Sequence, residues 1–386
     1  MLKRVLGTVA VAAVGLVIVA GCGDDDDSSS QSATSPGAAA APADPEDAAA
    51  GVAAAEELGG PVELPAKTVG ILQIVGGIES ADRVESSLKT AAGAVGWETN
   101  VCDGAGDPTK WVSCGNSLLD QGVDAVVTIG IDPGQIRQVV NKAKSAGTPI
   151  MAVSGEVPPG YDAAFYPDEQ LAGRLLAESL IEQLNAVEDD SAGLAVVDFA
   201  LPSIHARTVV LDDLLRDQPK IEVVARADTD ATNLVPGTRK QTSDIITANP
   251  DLKAFWYAFD TAGQAAAPVV AAEFPGEEFP DRPLLTTFHA DLGTVELMRQ
   301  GQIDEVLDVN YDASSWIAVD ALAEFFARDA PFPTESSPDY PGVGDLFDYQ
   351  LVTKDDLPPE GEYVESEVDV PGYFTAKWEA EFGAGA

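Results

Sequence analysis

The sequence predicts an α/β protein built on parallel sheets, and three observations carry that reading. Apolar runs of strand length recur along the chain from Thr68 onward. Amphipathic stretches of helical period separate them. Residues that open and close helices stand at the ends of those stretches. Regular alternation of this kind implies parallel strands covered by helices on both faces. The number of strands suits two doubly wound sheets better than one.

The strand-length runs are "TVGILQIV", "DAVVTIG", "PIMAVSG", "GLAVVDF", "IEVVARA", "LKAFWYAF", "LLTTFHA" and "EVLDVN". In "ESADRVESSLKTAAGAVG", Val84, Leu88, Ala91 and Val95 fall on one helical face. In "DPGQIRQVVNKAKSAG", Ile136, Val139, Val140 and Ala143 do the same, with Asp132 or Gly134 at the entry and Gly147 at the exit. In open α/β sheets ligands bind beyond the carboxyl ends of the strands, so the residues that follow each run are the place to look for function.

The chain ahead of this body has a different character. Lys3 and Arg4 precede an apolar run from Val5 to Val19, about fifteen residues, which suits a secretory signal rather than a spanning helix of about twenty. Small residues, Val19-Ala20-Gly21, lead to Cys22. This resembles a bacterial lipoprotein signal, in which Cys22 becomes the acylated N-terminus. The alternative is an ordinary residue in an ordinary signal peptide. Acyl chains add about 0.8 kcal/mol per buried methylene, so several of them hold a protein firmly on a membrane. Residues 22–65, rich in Ala, Pro, Ser, Gly and acids, read as a disordered linker with too little surface to bury. Asp24–Asp27 lacks the spaced ligands and turn glycine of a calcium loop.

A formal net charge of −42 excludes nucleic acid as a natural partner, because phosphate repels such a surface. Beyond Cys22 the cysteines are Cys102 and Cys114. In an exported chain a disulfide between them would contribute about 3 kcal/mol. Two small buried hydrophobes are the alternative.

From about Lys67 to Phe326 the body resembles the ribose- and galactose-type periplasmic binding proteins, the solute receptors of ABC importers. The resemblance rests on ordered pieces: "GVDAVVTIGIDPGQIRQVVNKAKSAGTPIMAVSG", "YPDEQLAGRLLAESL", "HARTVVLDDLLRDQPKIEVVA", "NPDLKAFWYAFDTAGQAA" and "VELMRQGQIDEVLDVNYDASSWIAVDAL". "YQLVTKDDL" and "FTAKWEAEFG" resemble the closing segments of longer members. The resemblance implies two doubly wound lobes joined by crossing strands, with the solute between them. It implies an N-terminal lobe of residues 66–154 plus about 311–332, and a C-terminal lobe of about 155–310 plus 333–386.

The same resemblance supplies candidate ligand residues. Asp132 and Asp260 fall where the family has aspartates, Arg207 where it has an arginine, and Asn310 where it has a glutamine or asparagine at a lobe crossing. Phe288 matches an aromatic that stacks on a sugar face. The chain departs from the pattern elsewhere: Phe259 replaces an asparagine and His289 an aspartate. Ile78, Ser80 and Ala81 stand where ribose binders have an asparagine and two phenylalanines. With Trp111, Tyr166 or Phe165 as further candidate walls, the cleft suits a less hydroxylated or differently oriented solute. A second reading has Arg207 and His289 facing a solute carboxylate. Each polar candidate also has an ordinary structural role open to it. Arg207 can pair with an acid, Asp132 can cap the helix that follows, and His289 can be a satisfied core histidine. Trp256 and Tyr257 alternate within one strand, so at least one of them belongs to the core.

Nothing in the sequence calls for an enzyme. His205 and His289 are the only histidines and lack metal-ligand spacing. No nucleophile elbow, phosphate loop or dinucleotide fingerprint follows a strand. The expectation is a monomeric receptor without cofactor or metal, lipid-anchored to the outer face of the membrane. Its partners are a small solute, sugar or sugar-like, and an ABC permease. A receptor that reports its ligand to a membrane sensor is the alternative. LacI-type repressors share the lobes but need a helix-turn-helix where this chain has an acidic segment.

Overall fold

The computed structural model describes residues 44–59, 61–229, 233–332 and 346–383. Cys22, its signal segment and the first part of the linker lie outside them. The first sheet is formed by β1 (Thr68–Gln73), β2 (Glu98–Asp103), β3 (Ala125–Ile129), β4 (Ile150–Val153) and β5 (Ala163–Phe165). All its strands are parallel, in the order β2-β1-β3-β4-β5. The second sheet contains β6 (Ala192–Asp198), β7 (Ile221–Asp228), β8 (Leu252–Tyr257), β9 (Leu284–Phe288), β10 (Glu305–Val309) and β11 (Tyr349–Val352). Its order is β11-β10-β9-β8-β6-β7, and only the β11 pairing is antiparallel.

Helices cover both faces of each sheet. The first lobe carries α2 (Glu79–Ala94), α3 (Pro108–Asp120), α4 (Arg137–Ala146) and α10 (Ala313–Arg328), and the second carries α5 (Glu169–Ala186), α6 (Pro202–Leu215), α7 (Leu234–Ala248), α8 (Asp260–Glu273) and α9 (Leu292–Arg299). The helical stripes read from the sequence are the buried ones. Val84, Leu88, Ala91 and Val95 enter one core of the first lobe, and Ile136, Val139, Val140 and Ala143 enter the core on its other face. Gly147 ends α4 in the left-handed region at φ 71°, where a residue without a Cβ is unstrained. Cys102 and Cys114 form a disulfide that ties β2 to α3.

Three features depart from the sequence reading. The chain stays in the first sheet through Phe165, beyond the expected lobe boundary near residue 155. Helix α11 (Val370–Phe382) follows β11 but buries Val370, Phe374 and Trp378 in the first lobe's core, so the tail does not belong wholly to the second lobe. The linker expectation also fails over residues 44–57, where α1 (Pro45–Glu57) packs along α11. Asp44 caps α1 by accepting from Glu46 N at 2.8 Å, and Pro45 fills the first turn. Asp47 accepts from Asp369 N at 2.7 Å, while Asp369 accepts from Asp44 N at 2.8 Å. Small residues are what permit the contact: a Cβ on Gly51 would stand 2.1 Å from the Tyr373 carbonyl oxygen. Alanine and glycine had read as spacer, but they also let two helices approach closely.

Candidate functional site

The carboxyl ends of the two sheets face each other, and the first turn of α2 reaches across. Its approach is fixed by the β1–α2 turn, where buried Gln73 donates to Ala81 O at 3.0 Å and to Glu85 at 3.2 Å. Glu79 and Arg83, one helical turn apart, both project toward the second lobe. Glu79 accepts from Leu292 N at 2.7 Å and Gly293 N at 3.2 Å, capping α9 from the opposite lobe. Arg83 donates from Nε to Asp312 at 2.6 Å and lies 3.8 Å from Asp291 through Nη1. Its guanidinium stacks between the rings of Tyr311 and Tyr363, at 4.9 and 4.7 Å.

Asp291 is fully buried and accepts from Tyr311 Oη at 2.9 Å. Burial, and then the neighbouring Asp260, push its pKa up to about 9 against the partial offset of Tyr311 and Arg83. Asp260, at the start of α8, is also raised by burial, while hydrogen bonds from Thr261, Asp291 and Ser80 oppose the rise. The two carboxyls are close enough to share a proton. Ser80 thus joins Asp260 across the lobes.

A second assembly lies behind this one, within the second lobe. Arg207 on α6 is 2% exposed. It donates to Glu169 at 2.6 Å from Nε, to Ala258 O at 3.0 Å from Nη1 and to His289 Nε2 at 3.0 Å from Nη2. Its plane rests on Phe288 at 4.3 Å, and Phe288 meets Trp256 edge-on at 5.2 Å. His289 packs edge-on to Tyr311 at 4.7 Å, so this residue links the two assemblies. His289 has φ 61°, an uncommon backbone for a residue with a side chain and one that clusters at functional sites. Its amide donates to Leu307 O at 2.9 Å, which keeps the strained residue in the β9–β10 frame.

Three polar atoms around Tyr311 have no hydrogen-bond partner among the described residues: Arg83 Nη1, His289 Nδ1 and Asp312 Oδ1. Leaving a buried polar group unpaired costs about 1–3 kcal/mol. Three in one place where the lobes meet make this cluster the candidate site.

The structure gathers some sequence candidates here and places others elsewhere. Arg207, Phe288, His289, Asp260 and Ser80 come together. Asp132 instead accepts from Gly134 N at 2.7 Å, in the turn after β3. Trp111 is buried on α3 beside the disulfide, donating from Nε1 to Ile74 O at 2.8 Å. The Asn310 amide is occupied: it donates to Leu346 O at 2.8 Å and Ser366 at 3.1 Å, and accepts from Asp348 N at 2.7 Å. That ties a lobe crossing to the segment ahead of β11. Phe259 packs against Phe199 at 5.0 Å, Tyr166 packs among Ala152, Val157 and Ala164, and Phe165 lies in the first lobe's core. Trp256 and Tyr257 are both buried, bonded to Thr208 at 3.2 Å and Thr242 at 2.7 Å. Glu79, Arg83, Glu169, Asp291 and Tyr311 escaped the sequence reading. Only the i, i+4 spacing of Glu79 and Arg83 at a helix start, and the position of Asp291 just past a strand, could have pointed to them.

Fold and site together define a two-lobed α/β protein whose buried polar cluster lies where the strand ends of both lobes meet. The chain belongs to the periplasmic binding protein domain family, whose model matches residues 69–327. Among solved structures it is similar to a galactofuranose binding protein, at 16% identity and TM-score 0.64, covering 75% of this chain and 96% of that one. It is also similar to an ABC transporter solute binding protein from Burkholderia graminis in complex with D-arabinose, at 19% identity and TM-score 0.66, covering 78% and 98%. A third is the Bacillus halodurans solute binding protein with bound myo-inositol, at 17% identity and TM-score 0.62, covering 77% and 97%. A search of curated proteins finds no match.

Proposed function

We propose that this protein captures a neutral, hydroxyl-bearing solute between its lobes and delivers it to an ABC importer, with acylated Cys22 as its membrane anchor. One observation carries the reading: the three unpartnered atoms between the lobes mix donors with an acceptor. Hydroxyl groups both donate and accept, so a sugar or polyol can answer all three. The ligands of the similar structures, galactofuranose, D-arabinose and myo-inositol, belong to that class. A solute carboxylate fits poorly. Arg207 is already paired with Glu169, and burial, then Arg207 and Arg83, hold His289 well below its usual pKa and so neutral.

Glu79 and Arg83 act in this reading as closing contacts. Glu79 bonds across the cleft to Leu292 N and Gly293 N, and Arg83 comes within 3.8 Å of Asp291, so the closed form gains these contacts and the open form loses them. A thermal-shift panel of pentoses, hexoses, polyols and their acid derivatives, followed by small-angle scattering, tests the proposal. A neutral member should stabilise the protein and compact it. Stabilisation by sugar acids alone would overturn the reading. For the anchor, Cys22→Ser should release the folded body from membranes, read by fractionation.

A further inference from the structure

We propose that His289 sets the solute specificity of the cleft: Arg207 holds it as an obligate hydrogen-bond donor through Nδ1, so the solute must present an acceptor oxygen there. The inference rests on the solute-capture reading for its last step only.

A guanidinium has five donors and no acceptor. The 3.0 Å contact between Arg207 Nη2 and His289 Nε2 therefore makes Nε2 the acceptor, and the single proton of a neutral imidazole must sit on Nδ1. Arg207 cannot turn away. Its Nε and Nη1 are engaged by Glu169 and Ala258 O, its face is covered by Phe288, and it is almost wholly buried. A proton on Nε2 would set two donors head to head. The ring cannot swing either, being packed edge-on against Tyr311 from a backbone pinned to Leu307 O. Nδ1–H is thus a fixed donor, 9% exposed as a residue and without a partner among the described residues.

Burial and the two arginines that face this ring favour its neutral state. Arg207 approaches from α6 with Glu169 of α5 behind it, and Arg83 approaches from α2. Tyr311 follows β10, Asp308 lies on β10 and accepts from Ala290 N at 2.8 Å, and Asp291 stands two residues along and bonds to Tyr311 rather than to the ring. The two cations disfavour an imidazolium, and no acid on these elements reaches Nδ1. A fixed donor therefore stands at that point of the cleft. A ring ether oxygen, a carbonyl or a hydroxyl lone pair satisfies it, whereas an ammonium group meets a donor and is refused.

Because His205 and His289 are the only histidines, the tautomer can be read directly. His205 is 57% exposed and bonded to Asp198, and His205→Gln removes its signals. Long-range proton–nitrogen NMR spectra of the ¹⁵N-labelled full chain should show His289 with its proton on Nδ1 and no titration between about pH 5.5 and 8. Replacing the buried pair together, Glu169→Gln with Arg207→Met, removes the lock without leaving a lone charge. In that variant Nε2–H should appear, while burial and Arg83 still hold the ring below its ordinary pKa. A wild-type ring protonated on Nε2, or doubly protonated at neutral pH, overturns the lock. Titration calorimetry with D-arabinose, myo-inositol and glycerol then tests specificity. For whichever probe binds, His289→Asn, whose amide donates, should stay within about threefold of wild type. His289→Asp, which only accepts, should lose at least about tenfold. Equal affinity of the two variants overturns the specificity role. If none of the probes binds while the tautomer is as stated, the solute reading fails and takes the specificity role with it, leaving the Arg207 lock standing.

Discussion

Two buried charge clusters in this protein resemble each other in composition and differ in what they leave open. Between α10 and α11, Lys377 sits among Asp320, Glu324 and Glu381 at 2.6, 3.4 and 3.0 Å. Trp378 donates to Asp320 at 2.7 Å, and Arg328 lies 3.1 Å from Glu324. Here three acids that could have held a metal ion surround a lysine instead; Glu324 Oε2 and Glu381 Oε1 make no hydrogen bond among the described residues, but they meet Arg328 and Lys377 at 3.1 and 3.0 Å. In the cleft, Arg83, Asp312 and His289 are also packed together, yet Asp312 Oδ1 and His289 Nδ1 have no hydrogen-bond partner among the described residues, and the carboxylate nearest Arg83 Nη1 that is not already bonded to Nε, that of Asp291, stands 3.8 Å away. The contrast separates two uses of buried charge. A cluster that saturates itself fixes one arrangement of helices. A cluster that stops short reserves bonding capacity for another molecule.

The comparison can be broken most severely at Lys377. Lys377→Met strands three acids without their cation, and should cost about 3–5 kcal/mol in urea unfolding. Solute affinity in the folded variant should hardly move, since α11 contributes nothing to the cleft; a large loss would erase the distinction. Asp291→Asn is the second test and acts in the opposite direction. The wild-type carboxyl has its folded pKa raised from 3.8 to about 9. It therefore binds a proton more tightly when folded, and its contribution to stability is full below the ordinary carboxylate range and lost as pH rises toward 9. The Asn variant should gain on wild type across that window, by on the order of a few kcal/mol at its alkaline end. Unfolding curves at several pH values read this directly, and a constant difference would overturn the raised pKa of Asp291.

Smaller effects sharpen the picture. Glu79→Ala removes a cap supplied from the other lobe, so it should weaken solute binding by about 1–2 kcal/mol. It should do so chiefly through faster dissociation, measurable by stopped-flow fluorescence. Asp132→Ala should cost about 1 kcal/mol of stability by losing its turn hydrogen bond. Its effect on affinity should be smaller than that of Asp291→Asn. The reverse ranking in calorimetry would return Asp132 to the site.

These tests also show how far the sequence could be read. Central strands were legible because β3, β4 and β9 are buried throughout and spell runs of apolar residues interrupted only by threonine. Strand β2 alternates between exposed and half-buried residues and offers no such run. Strands β5 and β11 span only three and four residues. In the site, Arg207 and His289 were legible as polar residues next to strand and helix starts. What they bond was not, because Glu169 lies 38 residues from Arg207 and His289 lies 82. Asn310 shows the limit of residue-by-residue transfer: its position has the expected amide, but the segment ahead of β11 consumes it. Glu79 and Arg83 were missed because a charged pair on a helix looks the same whether it faces water or another lobe.

The pairing of α1 with α11 has a practical side for anyone preparing this protein. Composition alone would place the start of the recombinant body near residue 66, after the alanine- and proline-rich stretch. The structure places it at Asp44. A product cut at 66 would lack the helix that covers Tyr373 and Lys377, and would lose the hydrogen bond from Val62 N to Glu381 O at 2.7 Å. It would expose an apolar flank of α11 to neighbouring molecules, and aggregation on storage would follow from the choice of boundary rather than from the protein itself.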